Sequence, residues 1–484
     1  MKFLEKYKST PKEIKASFWY IICSILQKGV SIITLPIFTR ILTLEQYGQV
    51  SVYISWMGLF SIFLSLNLPY GSFQTAMIKF ENDRDGYVSS IEGIFILLST
   101  VFLVIYLPTR DLCNSILGLS TPIVLIMVFE ILSNSCTQCW MGKQKFEYKY
   151  KKVVFLTLFS TFASQILSLV FVICFNDKST AKIAGNALIV VIIGLIICGF
   201  FLLKGKKIFN KKYWGYAFGF NFPLIFYYLS QVVFNQSDKI MIERMCGDAQ
   251  AGIYSVAYSL GMLLTFVINA ITSSYMPWFY NKLKQGKETD DRKVSFILSI
   301  IVALLLLVII AATPEIVYIM SGEKYKEAIA IVPPIAMSVL LLFYADIFDR
   351  LFFYFENKLF LTIPTIFAGA INVILNYVYI PKFGFYVAAY TTLISYFLLA
   401  TIDYFLSLVV AKKRDVNLKM YNIKGMMLVF VLFCGLSALF MLLYNYILIR
   451  YVIIVCIISI CIIFRKKIIS LIKVIKGKGV KDDD

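Results

Sequence analysis

About fourteen runs of roughly 20 apolar residues, set apart by short polar gaps, constrain this chain more than any other feature. They fall near 16–39, 47–69, 87–107, 119–141, 153–175, 182–203, 214–236, 251–277, 294–313, 327–352, 359–380, 386–410, 425–445 and 447–464. Each run, wound as a helix at ~1.5 Å per residue, spans the ~30 Å of bilayer hydrocarbon. A water-soluble core could not absorb them all. Of 484 residues, 60% are hydrophobic and only 15% charged, where soluble domains carry roughly a quarter charged. The fold class expected is an all-α polytopic membrane protein.

The gaps test the count. The chain holds 47 Lys+Arg against 28 Asp+Glu, a formal net charge of +19. Such a balance can signal nucleic acid. Here the cations sit in alternate short gaps, which is the signature of membrane orientation. One side collects Lys143, Lys145 and Lys149, then Lys204, Lys206 and Lys207, then Lys282, Lys284 and Lys287, then Lys412, Lys413 and Arg414. With the N-terminus cytoplasmic, roughly 36 cations fall inside, about 10 outside and about one within a span. Miscounting one span midway would invert every later gap and destroy the bias. Both termini are therefore expected in the cytoplasm, and no nucleic acid is expected as a partner. The polar stretch Met1 to Lys15 leads into a run too long for a signal-peptide core, so it reads as the approach to the first span. The longest gap is about fifteen residues, which leaves no room for an extramembrane domain.

Several chemistries drop out. There is no histidine, so His-based proton relays, zinc–His sites and Ser–His catalysis are excluded. Most of the ten cysteines lie within apolar runs. Cys136-x-x-Cys139 has no second pair to complete a metal site. No metal, cofactor or catalytic residue is expected. A polysaccharide polymerase would want a large outer loop, and no gap is big enough.

A repeat divides the spans. Gly48-Gln49-Val50-Ser51-Val52-Tyr53-Ile54-Ser55 matches Gly252-Ile253-Tyr254-Ser255-Val256-Ala257-Tyr258-Ser259 at four positions, and Arg40 pairs with Arg244 at the same offset. Both segments open an outside-to-inside span, the second and the eighth. Six spans apart, the halves share orientation, as in transporters built from two bundles. The expected organisation is a six-helix lobe over 1–203, a second over 204–410, two further spans over 411–464, and a basic cytoplasmic tail over 465–484.

Polar groups within the spans mark candidate sites, because a charge at mid-bilayer costs at least ~2.5–3.5 kcal/mol. Lys28 lies about midway along the first span, too deep to snorkel, and is expected to face a polar cavity. Glu130, central in span four, either pairs with Lys28, serves in ion coupling, or is a protonated acid bonded to a neighbouring helix. Span seven carries Asn221, Gln231, Asn235, Asp238 and Lys239, with Pro223 placed to break the helix; the amides equally suit interhelical bonding. Asp346 and Arg350, four apart on span ten, suit an ion pair. Asp403 in span twelve is a further coupling candidate. Asn372 and Asn376 share one face of span eleven.

Four motifs then add up: Thr34-Leu35-Pro36-Ile37-Phe38-Thr39-Arg40 with Glu45-Gln46-Tyr47-Gly48; Ser237-Asp238-Lys239-Ile240-Met241-Ile242 leading to Gly252-Ile253-Tyr254-Ser255-Val256-Ala257-Tyr258 and Pro277; Pro314-Glu315, Tyr325 and Pro333-Pro334; and Asn372-Val373-Ile374-Leu375-Asn376 with Ile380-Pro381 and Gly384. In order and spacing the chain, over about 12–464, resembles the polysaccharide transporter family of the multidrug/oligosaccharidyl-lipid/polysaccharide flippase superfamily. The resemblance implies a bacterial cytoplasmic-membrane flippase. It would carry undecaprenyl-pyrophosphate-linked oligosaccharide repeat units for O-antigen, capsule or exopolysaccharide by alternating access, with a polysaccharide polymerase and chain-length machinery as partners. It also implies cavity cations that hold the pyrophosphate. Lys28 matches that role by position, with Arg40 and Lys239 as second choices. Many relatives have Arg where this chain has Lys239, which loses a bidentate grip on phosphate. The rival reading is a drug/cation antiporter of the same superfamily. A peptidoglycan-precursor flippase would bring several arginines to the N-terminal lobe, where this chain shows one lysine.

Overall fold

The computed structural model describes residues 11–463 apart from 264, 288 and 290; the basic tail expected over 465–484 lies outside them. Among the described residues there are helices and no strand. Among the described residues eleven helices are long and apolar enough to cross a membrane, or thirteen when two bent pairs are each counted as one span, with Ile447–Cys456 a shorter apolar helix. Each expected run is helical over most of its described length, the one near 251–277 as two successive helices, Asp248–Gly261 and Thr265–Lys284. The count of fourteen itself is not reached by these criteria.

The first helices are α1 (Lys12–Ile41), α2 (Leu44–Ser65) and α3 (Phe73–Lys79), then α4 (Arg84–Tyr106), α5 (Arg110–Leu117) and α6 (Thr121–Phe146). They continue with α7 (Tyr150–Cys174), α8 (Lys178–Gly205) and α9 (Lys211–Cys246). Next come α10 (Asp248–Gly261), α11 (Thr265–Lys284), α12 (Asp291–Ala311), α13 (Thr313–Ser321) and α14 (Val332–Tyr354). The last are α15 (Lys358–Phe383), α16 (Val387–Lys413), α17 (Ile423–Leu442) and α18 (Ile447–Ile463). The short helices α3, α5 and α13 lie in gaps that hydropathy reads as plain loops, since they are too brief to register as spans. By packing, the chain forms two compact units, 1–240 and 241–484.

Local chemistry sets the helix ends. Thr43 and Gln46 form a reciprocal capping box at the start of α2, at 3.0 and 3.2 Å, which satisfies amides that have no partner inside the helix. Asp177 caps α8 by accepting from the Thr180 amide at 3.2 Å. Proline stands in the first turn of α6, α13 and α14, where its missing N–H costs nothing. The two repeat segments occupy the same place in their elements: Gly48 is the fifth residue of α2 and Gly252 the fifth of α10. α9 bends by 52° between Lys211–Phe222 and Leu224–Cys246. The bend falls at position 223, where the sequence places a proline that cannot donate to the helix ladder.

In the first unit the core is built on Phe73, Tyr87, Phe95, Met77 and Phe201, with Cys136 and Cys139 among them. Glycine lets α6, α7 and α8 close on one another. A side chain on Gly194 would overlap the Ser133 backbone, and one on Gly185 the Ser168 backbone. Small residues at crossings of this kind are how helices pack in lipid, which offers no hydrophobic driving force between them. At one end Asp85 takes Lys143 and Lys204, while Asp83 takes Lys207 and the Tyr213 hydroxyl.

In the second unit α14 is the central element. It packs against α10, α11, α12, α15, α16 and α17 and is buried over most of its length. Tyr344 donates to the Met426 carbonyl at 3.0 Å, tying α14 to α17. Asn372 and Asn376 are both fully buried. The Asn376 amide donates to Asn372 at 3.3 Å, the Asn372 amide donates to Thr392 at 3.4 Å, and Thr391 donates to Asn376. The pair therefore binds α15 to α16.

Candidate functional site

Lys28 is exposed, ~24 Å along α1 from its first residue and ~20 Å from its last at 1.5 Å per residue. It lies on a polar stripe with Ser24 and Ser31, at one-turn spacing. Ser24 bonds back to the Tyr20 carbonyl at 2.9 Å and Ser31 to the Gln27 carbonyl at 3.1 Å, so both hydroxyls are spent within the helix. Gln27 donates to Thr161 of α7 at 3.2 Å. Lys28 thus keeps its ammonium free of any carboxylate among the described residues. Arg40, in the last turn of α1, is exposed as well.

Glu130 is not paired with Lys28. It is 5% exposed; one oxygen accepts from the Tyr53 hydroxyl at 2.6 Å and the other from the Asn186 amide at 3.3 Å. Asn186 in turn accepts from Gln165 at 3.4 Å. One buried chain of hydrogen bonds therefore joins α2, α6, α8 and α7. Its members come from four helices, so no local spacing announces it. Asn186 and Gln165 were open to the rule that singled out Asn221, an amide inside an apolar run.

The span-seven residues separate into two groups on either side of the bend. Asn221 is fully buried. Its amide donates to Ser72 Oγ at 2.6 Å and to the Ala217 carbonyl at 3.0 Å, and its oxygen accepts from the Ser72 amide at 3.3 Å. It locks α9 to the start of α3. Beyond the bend, Gln231 reaches the Tyr227 hydroxyl at 3.4 Å and Asn235 the Gln231 carbonyl at 2.6 Å. Lys239 donates to Gln236 at 3.1 Å, which also accepts from Ser55 at 3.1 Å. This links the lysine to a repeat residue of α2. Asp238 beside it is 2% exposed. In the second unit Asp403 of α16 is 1% exposed, and Asp346 and Arg350 of α14 stand 3.7 Å apart as an ion pair.

Lys182 is a cation that sequence reading passed over because it lies at the start of an apolar run. Its ammonium stands 4.2 Å from the Phe38 ring centre and 4.8 Å from that of Tyr47. Two aromatic faces thus hold one charge at the junction of α1, α2 and α8. Glu92, fully buried on α4 beside Cys198, was likewise missed, one turn beyond the polar start of its span.

A family model described as polysaccharide biosynthesis protein matches residues 14–283, more than half of the chain. The "Lsg locus putative protein 1" of Haemophilus influenzae is 24% identical over 373 residues, covering 72% of this chain and 86% of that protein. An "uncharacterized membrane protein" of the same organism is 25% identical over 291 residues, covering 56% of this chain and 66% of its own length. Among solved structures, the lipid II flippase MurJ in an inward closed conformation aligns with a TM-score of 0.65 at 13% identity, over 93% of this chain and 99% of that one. An inward-facing multidrug resistance MATE family transporter of the MOP superfamily aligns with a TM-score of 0.61 at 13% identity, over 81% and 96%. These likenesses show a shared fold. The chain is a multi-pass membrane protein belonging to the polysaccharide biosynthesis protein family.

Proposed function

We propose that this protein is a flippase rather than an enzyme. It moves undecaprenyl-pyrophosphate-linked oligosaccharide repeat units from the cytoplasmic to the outer leaflet by alternating access, for O-antigen, capsule or exopolysaccharide. The observation that carries this reading is Lys28: an accessible ammonium about midway along a membrane-length helix, with no carboxylate beside it among the described residues. A cation left uncompensated at that depth costs several kcal/mol unless something anionic visits it. A pyrophosphate headgroup is such a visitor. It is large, polar and dianionic, and cannot cross hydrocarbon alone, whereas the polyprenyl tail can remain in lipid. Lys239, Arg40, Gln231 and Asn235 are proposed as further headgroup contacts, and Glu130, Asp238 and Asp403 as coupling carboxylates. The charge bias of the gaps supports an orientation with both ends inside, and the family resemblance supports a bacterial cytoplasmic-membrane location. A polymerase and chain-length machinery would take the flipped product.

The test is surface polysaccharide in a strain dependent on this protein. Lys28→Ala abolishes it while membrane insertion is unchanged, and Lys28→Arg retains it. Wild-type polysaccharide in Lys28→Ala would sink the reading. The second reading, a drug/cation antiporter, is favoured by the likeness to a multidrug resistance transporter. It calls for a carboxylate open to the cargo. Glu130, central in the first unit, has both oxygens taken by Tyr53 and Asn186. Drug efflux by the wild type, without any polysaccharide phenotype, would select this reading instead.

A further inference from the structure

The second unit holds a buried group of acids that outnumber their cation. α14 is buried on nearly all sides between Val332 and Phe352; its accessible residues there are Leu342, Asp346, Asp349 and Arg350. These recur at one-turn spacing, so an otherwise enclosed helix opens along one charged stripe. α14 packs against α16, which carries Asp403, and Asp403 lies within electrostatic reach of Asp349 and Asp346. Three carboxylates thus gather about one guanidinium, which acts on two of them, Asp346 and Asp349. Arg350 is engaged with Asp346 at 3.7 Å and with the Met276 sulfur at 3.4 Å. It also acts electrostatically on Asp349, whereas the charges that act on Asp403 are those of Asp349 and Asp346.

Two further facts concern the ligand. Asp403 is 1% exposed, and among the described residues its Oδ2 has no hydrogen-bond donor, nor has Asp349 Oδ1. A bare carboxylate oxygen in an apolar interior is among the costliest groups a protein can bury. Exposure also falls inward in steps: the Asp346 side chain is 32% exposed, while Asp403, ~15 Å from the end of α16 at 1.5 Å per residue, is enclosed. The other titratable groups around the site are Tyr275 and Tyr280 of α11, Asp291 at the start of α12, Tyr404 of α16 and Tyr421. Tyr275 donates to Asp291 at 2.7 Å, and Asp291 Oδ2 is a further oxygen with no donor among the described residues. The cations of the neighbouring segments, Lys412, Lys413, Arg414 and Arg292, are exposed. Among the described residues, no three acidic, Cys or His side chains are placed to hold a metal ion. The cation that neutralises these oxygens without a coordination shell is the proton.

We propose that Asp403, Asp349 and Asp346 form a proton-binding site, loaded from Asp346 and stored on Asp403, with Arg350 as the fixed counter-charge. The step is the addition of one proton to a carboxylate oxygen to give a carboxylic acid, and its release on return. Proton exchange there would supply energy to the transport cycle, a role that rests on the transporter reading above.

The experiment is infrared difference spectroscopy of the purified full-length protein in sodium-free lipid nanodiscs, titrated with acid and base. The wild type shows a carboxylic-acid C=O band at neutral pH that disappears on raising the pH. Asp403→Asn, which imitates the protonated state in shape, loses that band, and Asp346→Asn shifts the pH at which it disappears. If Asp403→Asn does not fold, Asp349→Asn carries the same expectation. Identical spectra in the wild type and the folded Asn variant overturn the proposal. So does loss of the band on adding sodium at constant pH, which would make the site a metal-cation site. No substrate enters this measurement. A protein that shows the band but does not flip lipid-linked oligosaccharide refutes the flippase reading and leaves the proton site standing.

Discussion

Arg450 grips Glu315 with both arms of its guanidinium, Nη2 to Oε1 at 2.6 Å and Nη1 to Oε2 at 2.8 Å. Nη1 also donates to the Ala311 carbonyl at 2.8 Å. Arg450 is the fourth residue of the last apolar run, 447–464, and the fork explains how a cation is held there. It fastens α18 to the junction of α12 and α13, and Tyr444 adds a bond to the Ile310 carbonyl at 2.9 Å. The Arg450 side chain is only 3% exposed, so the pair is a planar fork shielded from water. Arg450→Met strands the carboxylate and should cost about 3 kcal/mol. Adding Glu315→Leu should recover most of that loss. Thermal unfolding of the two variants in detergent checks both.

The same pair gives a pH dependence. The hydrogen bonds from Arg450 hold the Glu315 carboxyl below its ordinary value of 4.5. A depressed folded-state value means the unfolded chain binds the proton more readily. The stabilisation is therefore fully present above 4.5 and is lost as pH falls from there through the depressed value. Wild type should lose stability on acidification through that window more steeply than Glu315→Gln. Equal slopes in unfolding scans across the window would contradict this.

Gly194 allows α8 to lie against α6. Gly194→Leu should be destabilising by at least ~1–3 kcal/mol through overpacking, because the obstacle is the Ser133 backbone rather than a movable side chain. Gly199, in the same helix with open space around its Cα, is the control. Gly199→Ala should be neutral or gain up to ~1 kcal/mol in helix propensity. Comparing the melting of the two variants decides the matter.

Tyr53→Phe removes the hydroxyl that satisfies Glu130 and should cost about 1–3 kcal/mol. Glu130→Gln should cost less, because the Gln oxygen can still accept from Asn186 or Tyr53. A double-mutant cycle should then show coupling of more than about 0.5 kcal/mol between the two positions. Additive losses would mean that the bond carries no weight.

Asn221 and Lys28 should fail in different ways. Asn221→Ala strands the buried Ser72 groups, and should lower folded yield and melting temperature, by about 1–3 kcal/mol, while transport per folded molecule holds. Lys28→Ala should leave melting unchanged and remove transport. Normalising polysaccharide output to folded protein in the membrane separates the two. A loss of transport per molecule in Asn221→Ala would move that residue into the binding surface.

Hydropathy and charge bias were legible in the chain because both are local. Twenty apolar residues make a membrane-length helix whatever surrounds them. The proline at 223 marked a break in its helix for the same reason: a missing N–H is a property of one residue. So was the Asp346–Arg350 pair, which one helical turn brings together. The family, too, was legible in motifs spread along the chain. Partners from separate helices were not. Lys28 and Glu130 look alike in sequence, each a charge within a span, yet packing left one accessible and bonded the other to Tyr53 and Asn186. Asn221 and Asn235 share a helix, but one is locked against Ser72 and the other lies beyond a 52° bend. Arg450 stands 135 residues from Glu315, and Asp403 lies on a different helix from the acids it faces. Sequence spacing sets what a residue meets within its own helix. What it meets across helices depends on how close two axes come and which faces they turn to each other, and that is decided where glycines such as Gly194 and Gly185 let the backbones approach.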